Sequence, residues 1–488
     1  MQHYIYIIGV TLTWIAIALT VIHVVMDNRQ PAKTMAWVLV IFFLPVVGIV
    51  LYLFFGVNQR RERMVEQRSL DQLSKRSMLS FVEQQNLRVP DVHQPLVELF
   101  INENLSLPFK NNVVDIMTDG YAFTAALLKD IAQAQHHIHI DLYIIEDDPL
   151  GNLVADALID KAHQGIRVRI VYDDVGCWKV SRRFWERMRE EGIEIHAFLP
   201  VHFPTFTSKV NYRNHRKLIV IDGSVGYVGG MNIALRYVKG IKKEQKKGEA
   251  ATYTPWRDTM LRMTGGAVYA LQRAFLVDWY FVDRTLITDR VYYPATTVLP
   301  SPAVNNCLAQ LVTSGPTTPY PEIMQGFVHI IATARRYIYM ETPYFLPTEP
   351  VLLALKMAAL RGIDVRLLVP LHSDARFVEW AGRSYLREVC DAGVQVWLYS
   401  RGFLHSKLMV VDDELATCGS TNIDFRSFEN NFESNIFIYD NPVAMRLREV
   451  FLSDQQHANL LSDLPERMRP SFLNRLLESL ARLLAPLF

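Results

Sequence analysis

A pattern of the form His-x-Lys-x4-Asp-x6-Gly-x2-Asn occurs twice in this chain, once from His215 to Asn232 and again from His405 to Asn422. No other feature restricts the fold as much. In each copy an imidazole and an ammonium stand two residues apart on an apolar, β-branched run. On a strand that spacing puts both on one face, so His215 and Lys217, like His405 and Lys407, enter one space. Leu218, Val220, Leu408 and Val410 then enter the other. Each copy returns a Gly and then an Asn at the same distance, so Asn232 and Asn422 can bring a second polar group back. Asp222 and Asp412 complete the pattern, but at an odd offset from His and Lys. On a continuing strand they face away, and they read as capping or pairing residues.

The duplication extends upstream of the motifs. An amphipathic stretch and a β-rich run come first, at Tyr121–Gln135 with Ile138–Ile144 and at Pro321–Ala334 with Ile338–Tyr344. A helical stretch, a Gly and a strand follow at Gly165–Val171 and Gly362–Leu368. The same order recurs at Gly192–Ile195 and Gly393–Val396. Strands alternating with helices predict an α/β protein of two similar lobes, with mixed or largely parallel sheets flanked by helices. Each lobe supplies one His, one Lys and one Asn, so a single site is expected where the two sheets meet edge to edge. The boundary is placed in the Pro-, Thr- and Ser-rich stretch 292–321.

On these residues the chain resembles the phospholipase D superfamily, whose signature is a duplicated His-Lys-Asp motif. With its apolar amino terminus it is similar to the bacterial cardiolipin synthases along nearly its whole length. It departs at Gly230, where the family often has Ser, so the first copy offers no hydroxyl there. The chemistry fits a phosphodiester: one imidazole as nucleophile, the other as proton donor, Lys217 and Lys407 as charges for the phosphoryl oxygens, and Asn232 and Asn422 as amide donors. No spacing of acidic or Cys/His residues suggests a metal, and the resemblance implies a cofactor-free route through a phosphohistidine. By resemblance Asp258 and Glu433 orient the two imidazoles. The implied reaction makes cardiolipin and glycerol from two phosphatidylglycerol molecules. A hydrolase with water as acceptor and a silent lipid-binding scaffold are the alternative readings; two intact motifs argue against the second. The trio His136, His137 and His139 reads as a strand start lacking a fourth metal ligand.

Two apolar runs without formal charge, about 4–26 and 35–55, each meet the ~20 residues a membrane helix needs. They are expected to form a two-span transmembrane hairpin over 1–57, with Pro45 and Gly48 kinking the second span or letting the first helix approach closely. A juxtamembrane linker is expected over 58–110, the first lobe over 111–300 and the second over 301–470. An amphipathic helix over 471–488 suits docking on the core or lying in the membrane interface, and its basic flank favours the interface. Arg60, Arg61, Arg63 and Arg68 after the second run outnumber Arg29 and Lys33 in the turn, which favours cytoplasmic lobes on a bacterial cell membrane. With 51 basic and 50 acidic side chains the balance argues against a nucleic-acid partner. Expected partners are phosphatidylglycerol, other anionic phospholipids and the bilayer; the oligomeric state is left open. Cys177, Cys307, Cys390 and Cys418 show no disulfide rhythm.

Overall fold

A computed structural model describes residues 2–26, 31–52, 89–201, 211–242, 253–293, 307–318, 320–483 and 485. The turn between the apolar runs at 27–30, most of the expected linker, residues 243–252, residues 294–306 of the expected boundary and the last three residues lie outside them.

The first apolar run is one helix, α1 (Gln2–Met26), and its Tyr6–Met26 portion is long and apolar enough to cross a bilayer core. The second run is two shorter helices, α2 (Pro31–Phe43) and α3 (Pro45–Leu51). The break falls at Leu44 (φ −128°, ψ 66°), because the residue before a proline is sterically excluded from the helical region. Gly48 then lies against α2: a Cβ there would stand 2.7 Å from the Val40 carbonyl oxygen. The close approach at Gly48 is therefore made by the preceding helix of the same run, not by the first helix. Ile17 and Val24 of α1 pack with Ile41 and Tyr52 in a small apolar cluster of their own.

The described end of the expected linker is not a linker. Gln94–Asn104 forms α4, capped at the left-handed Leu105, and buries Leu96, Val97 and Phe100 in the core of the second half. The first strand, β1 (Pro108–Met117), follows, then α5 (Gly120–Gln133), β2 (His137–Leu142), α6 (Pro149–His163), β3 (Arg167–Asp173), α7 (Arg182–Glu190) and β4 (Glu194–Phe198). The motif strand β5 (Lys217–Ile221), its partner β6 (Val225–Gly229), β7 (Met260–Thr264) and α8 (Ala267–Asp283) complete the half. The second half repeats the order: β8 (Cys307–Ser314), α9 (Glu322–Thr333), β9 (Tyr337–Glu341), α10 (Glu349–Leu360), β10 (Asp364–Pro370), α11 (Arg376–Asp391) and β11 (Gln395–Tyr399). After these come β12 (Leu408–Val411), β13 (Leu415–Gly419), β14 (Glu433–Ile438), α12 (Asn441–Gln455), β15 (Ala458–Leu460) and α13 (Phe472–Leu483).

The strands form one 15-stranded sheet, ordered β15-β11-β10-β9-β12-β13-β14-β8-β1-β7-β6-β5-β2-β3-β4. Apart from the extra edge strand β15, the halves are mirror sequences in this order, joined where β1 pairs antiparallel with β8 (Pro108↔Gln310). Only β2-β3-β4 and β9-β10-β11 run parallel; the motif strands and the central strands are antiparallel, so each half is mixed. Helices α8 and α12 cover one face over a core of Val268, Leu271, Val443, Leu447 and the alternate motif residues Leu218, Val220, Leu408 and Val410. The other helices of the body, α4–α7, α9–α11 and α13, cover the other face. Gly165 and Gly362 (φ +82° and +85°) end α6 and α10 in the left-handed region that a side chain resists, which is why the repeat carries Gly there.

Candidate active site

The motif histidines precede β5 and β12 rather than lying in them, and each is fixed by the opposite half. His215 N–H donates to the Phe432 carbonyl (2.9 Å), and His405 N–H donates to the Arg257 carbonyl (2.7 Å). Phe432 and Arg257 are the residues immediately before Glu433 and Asp258. The main-chain pairing therefore delivers each carboxylate to the imidazole across the sheet centre. His215 Nδ1 lies 2.9 and 3.0 Å from the two Glu433 oxygens, and His405 Nδ1 lies 2.7 Å from Asp258 Oδ2. Lys407 Nζ is also 2.9 Å from His405 Nδ1. Nδ1 cannot donate to Asp258 and accept from Lys407 at once, and the shorter contact assigns its proton to the carboxylate side. In both rings an Nδ1–H held by a carboxylate leaves the Nε2 lone pair for chemistry.

Both ammonium groups are buried and anchored on the carbonyl of their own motif histidine, Lys217 on His215 and Lys407 on His405. Burial lowers the His215 pKa to about 4, with Lys217 and Lys407 adding to the effect against Glu433. Burial lowers His405 to about 3, reinforced by Lys407 and, from the other half, Lys217. Lys217 itself falls to about 7, again by burial, with Lys407 contributing. Each motif thus feels the charge of the other. Burial alone would raise both carboxyls, but Lys407 and His405 hold Asp258 below its ordinary value, and His215 and Lys217 do the same for Glu433. The site thus brings together two neutral imidazoles, two carboxylates and lysines whose charge an arriving anion would stabilise.

Not every member of the repeated pattern reaches this site. Asp222 lies at the far end of β5 from Lys217, about 16 Å along a strand of that length. Its carboxylate accepts the N–H groups of Gln135, His136 and His137 (2.8–2.9 Å). Asp412 accepts those of Arg335, Arg336 and Tyr337 (2.7–2.9 Å) in the same way. Both carboxylates tie the motif strand to the start of its neighbour, away from the imidazoles. Asn232 and Asn422 are buried nearby with unlike partners. Asn232 donates to the Tyr237 hydroxyl (2.9 Å) and accepts from Ile144 N–H, whereas Asn422 donates to Asp424 (3.1 Å).

The departure at Gly230 has a steric cause. In the second half Ser420 Oγ donates to Glu433 and accepts the Ser434 N–H (2.9 Å). In the first half Asp258 Oδ1 accepts the corresponding Thr259 N–H itself (2.7 Å), and a Cβ at Gly230 would lie 2.1 Å from that oxygen. The shorter acid occupies the place of the serine hydroxyl. Sequence reasoning missed the aromatic walls. Tyr143 meets His215 edge-on (4.9 Å between centroids) and has Lys217 Nζ 5.3 Å from its ring centre; the Tyr237 hydroxyl lies 3.5 Å from His405 Nδ1. Tyr143 and Tyr344 each lie near the end of the β-rich run of their half, which was the available signal. The histidines at the start of β2 join a hydrogen-bonded chain in which Gln272 bridges His137 (2.9 Å) and His139 (2.8 Å). Among the described residues no group of three or more His, Cys, Asp or Glu is arranged to hold a metal ion.

This fold and paired-histidine geometry define a phospholipase D-like protein. Residues 127–245 and 327–455 match the model of the cardiolipin synthase, PLD-like domain, and residues 14–56 match the phospholipase D-nuclease N-terminal family. The chain is 39% identical over 465 residues to a cardiolipin synthase of Alkalihalophilus pseudofirmus, covering 94% of this chain and 90% of that one. It is 37% identical over 484 residues to the major cardiolipin synthase ClsA of Bacillus subtilis, covering 96% and 97%. Among solved structures, phosphatidylserine synthase of Haemophilus influenzae superposes with a TM-score of 0.62 at 16% identity, over 81% of this chain and 99% of that one, a likeness of fold. The chain belongs to the cardiolipin synthase family.

Proposed function

We propose that the chain is a membrane phosphatidyltransferase that condenses two phosphatidylglycerol molecules into cardiolipin and glycerol at one site shared by its two halves. The crossed pairing of His215 with Glu433 and His405 with Asp258 carries this reading: neither imidazole is oriented without the other half. His215 Nε2 attacks the phosphorus of the first lipid, forming a P–N bond as the P–O bond to glycerol breaks. His405, protonated once the phosphodiester anion is bound, gives that proton to the departing glycerol oxygen. The hydroxyl of a second phosphatidylglycerol returns a proton to His405 and attacks phosphorus, and the P–N bond breaks. Lys217 and Lys407 balance the charge that builds on the non-bridging oxygens, with Asn232 and Asn422 as amide donors.

The amino-terminal runs are the anchor, α1 as one span and α2–α3 as a second, broken one. A broken membrane helix is tolerated where its backbone groups find partners, and here Leu44 N–H donates to Val40 and Gly48 N–H to Leu44. The arginines after the second run favour cytoplasmic lobes.

Purified protein given headgroup- and acyl-labelled phosphatidylglycerol should release cardiolipin and glycerol in equal amounts. Phosphatidic acid as the main product would make the chain a hydrolase. His215→Ala and His405→Ala should each lose at least about 10²-fold in turnover, and the double variant should be scarcely worse, since groups acting as one unit are not additive. A single variant keeping a tenth of the activity would remove that residue from the chemistry.

A further inference from the structure

We infer that the outer face built by α13, α10 and the intervening edge of α11 is a second membrane contact, seated in the interfacial layer of a bilayer with anionic headgroups. The inference rests on the reading of α1 as a membrane segment.

Helix α13 is docked inside out. A helix that packs on a core turns its apolar stripe inward and its charges to water. Here the face against the protein is Glu478 and Ala481, both buried, and Ala485 just past the helix is buried as well. Glu478 is ion-paired with Arg387 and lies 3.8 Å from Arg383. Arg482 reaches Glu388 (2.7 Å) and Ser384 (3.2 Å), with its guanidinium 4.0 Å from the Tyr385 ring centre. The outward face carries Phe472 (83% exposed), Leu473, Leu476, Leu477, Leu480 and Leu483 (75% exposed). Charge fixes the helix to the protein and leaves the apolar stripe outside.

The neighbouring helix repeats the arrangement. Leu353, Met357 and Leu360 stand at i, i+4 and i+7 on α10 and are exposed, Leu360 to 74%. Lys356 of α10 (2.9 Å) and Arg482 of α13 both end on Glu388 of α11, so the two apolar stripes flank one residue. Exposed Trp380 lies two turns earlier on the same side of α11, and Trp is the side chain favoured where apolar and wet layers meet. Arg469 and Arg475 are exposed beside α13, placing cations where phosphate headgroups would be. An apolar face rimmed by cations, on a chain that already carries a bilayer-length apolar helix, has lipid within reach at high effective concentration.

The test uses the full chain with Cys390→Ser, the other three cysteines being buried, labelled with an environment-sensitive dye at Leu476→Cys. It is reconstituted in vesicles of phosphatidylglycerol and phosphatidylethanolamine, with quenchers carried on lipids at the headgroup–acyl boundary. The expected result is a blue-shifted emission and at least a twofold loss of fluorescence on adding quencher lipid. The same label at Leu12→Cys on α1 should be quenched, and at Tyr121→Cys on α5 it should not. Quenching at Leu12 without quenching at Leu476 overturns the inference alone, whereas quenching at neither overturns the anchor as well. Equal quenching at Tyr121 removes the assignment to this face. A blue shift in lipid-free detergent that grows with protein concentration, alongside a dimer by light scattering, would make the face a contact between two copies and also overturn it.

Discussion

At the scale of residues the two halves solve one problem with different atoms. A carboxylate must hold an imidazole while its own following N–H is satisfied. The second half divides the work between Glu433 and Ser420; the first gives it all to Asp258, and a Cβ at Gly230 would then collide with Oδ1 at 2.1 Å. Gly230→Ser should therefore displace Asp258 from His405 and lower turnover more than about tenfold, a loss of at least ~1.4 kcal/mol in transition-state stabilisation. The double variant Gly230→Ser with Asp258→Glu copies the pair in the other half and should recover part of that loss. Residues in direct contact are where such non-additivity is expected. Steady-state rates of the wild type, both single variants and the double decide it; a Gly230→Ser enzyme as active as wild type would show that the collision relaxes without reaching the imidazole.

At the scale of elements, much was legible because the chain states it twice. The repeated order of amphipathic stretch, Gly and β-branched run marks helices and strands that the structure places within a few residues, although the motif histidines, expected on the strand, stand just before it. What could not be read is how strands pair, since pairing direction leaves little trace in one strand's composition. That is why the sequence left mixed and largely parallel sheets both open, where the structure has one mixed sheet continuous through β1 and β8. Helix α4 was lost in a polar neighbourhood because only Leu96, Val97 and Phe100 face the core. Asp222 and Asp412 illustrate the opposite case, a signature residue whose position on the strand already pointed away from the chemistry. Each takes three backbone N–H groups from a left-handed conformation (φ 53° and 56°), which Asn also tolerates. Asp412→Asn therefore isolates the hydrogen bonds. It turns an amide N–H toward donors and should cost about 1–3 kcal/mol of stability, seen as a lower unfolding midpoint, while the folded fraction keeps turnover within about threefold. An unchanged midpoint with lost turnover would return Asp412 to the chemistry.

At the scale of the whole molecule, the apolar amino terminus and the sheet body are separate in their packing. Ile17, Val24, Ile41 and Tyr52 form a cluster to themselves, while the body closes on its own cores and on the β1–β8 junction. Removing residues 1–56 takes nothing from the crossed His–carboxylate pairs, so the shortened chain should still turn over detergent-dispersed phosphatidylglycerol. Its hold on a bilayer should change in kind. The loss of α1 through α3 removes the proposed anchor, leaving the leucine face of α13 and α10 with Arg469 and Arg475 beside it. Attraction between exposed cations and anionic headgroups is screened over about 10 Å at 0.1 M salt but about 3 Å at 1 M. The shortened chain should therefore float with phosphatidylglycerol vesicles at low salt and separate from them at high salt, remaining active in detergent under both. A chain that is folded by circular dichroism yet inactive on dispersed lipid would mean that α1–α3 shape the path of the substrate to the site. In that case the division into anchor and catalytic body fails, although the pairing of His215 with Glu433 and His405 with Asp258 would still stand.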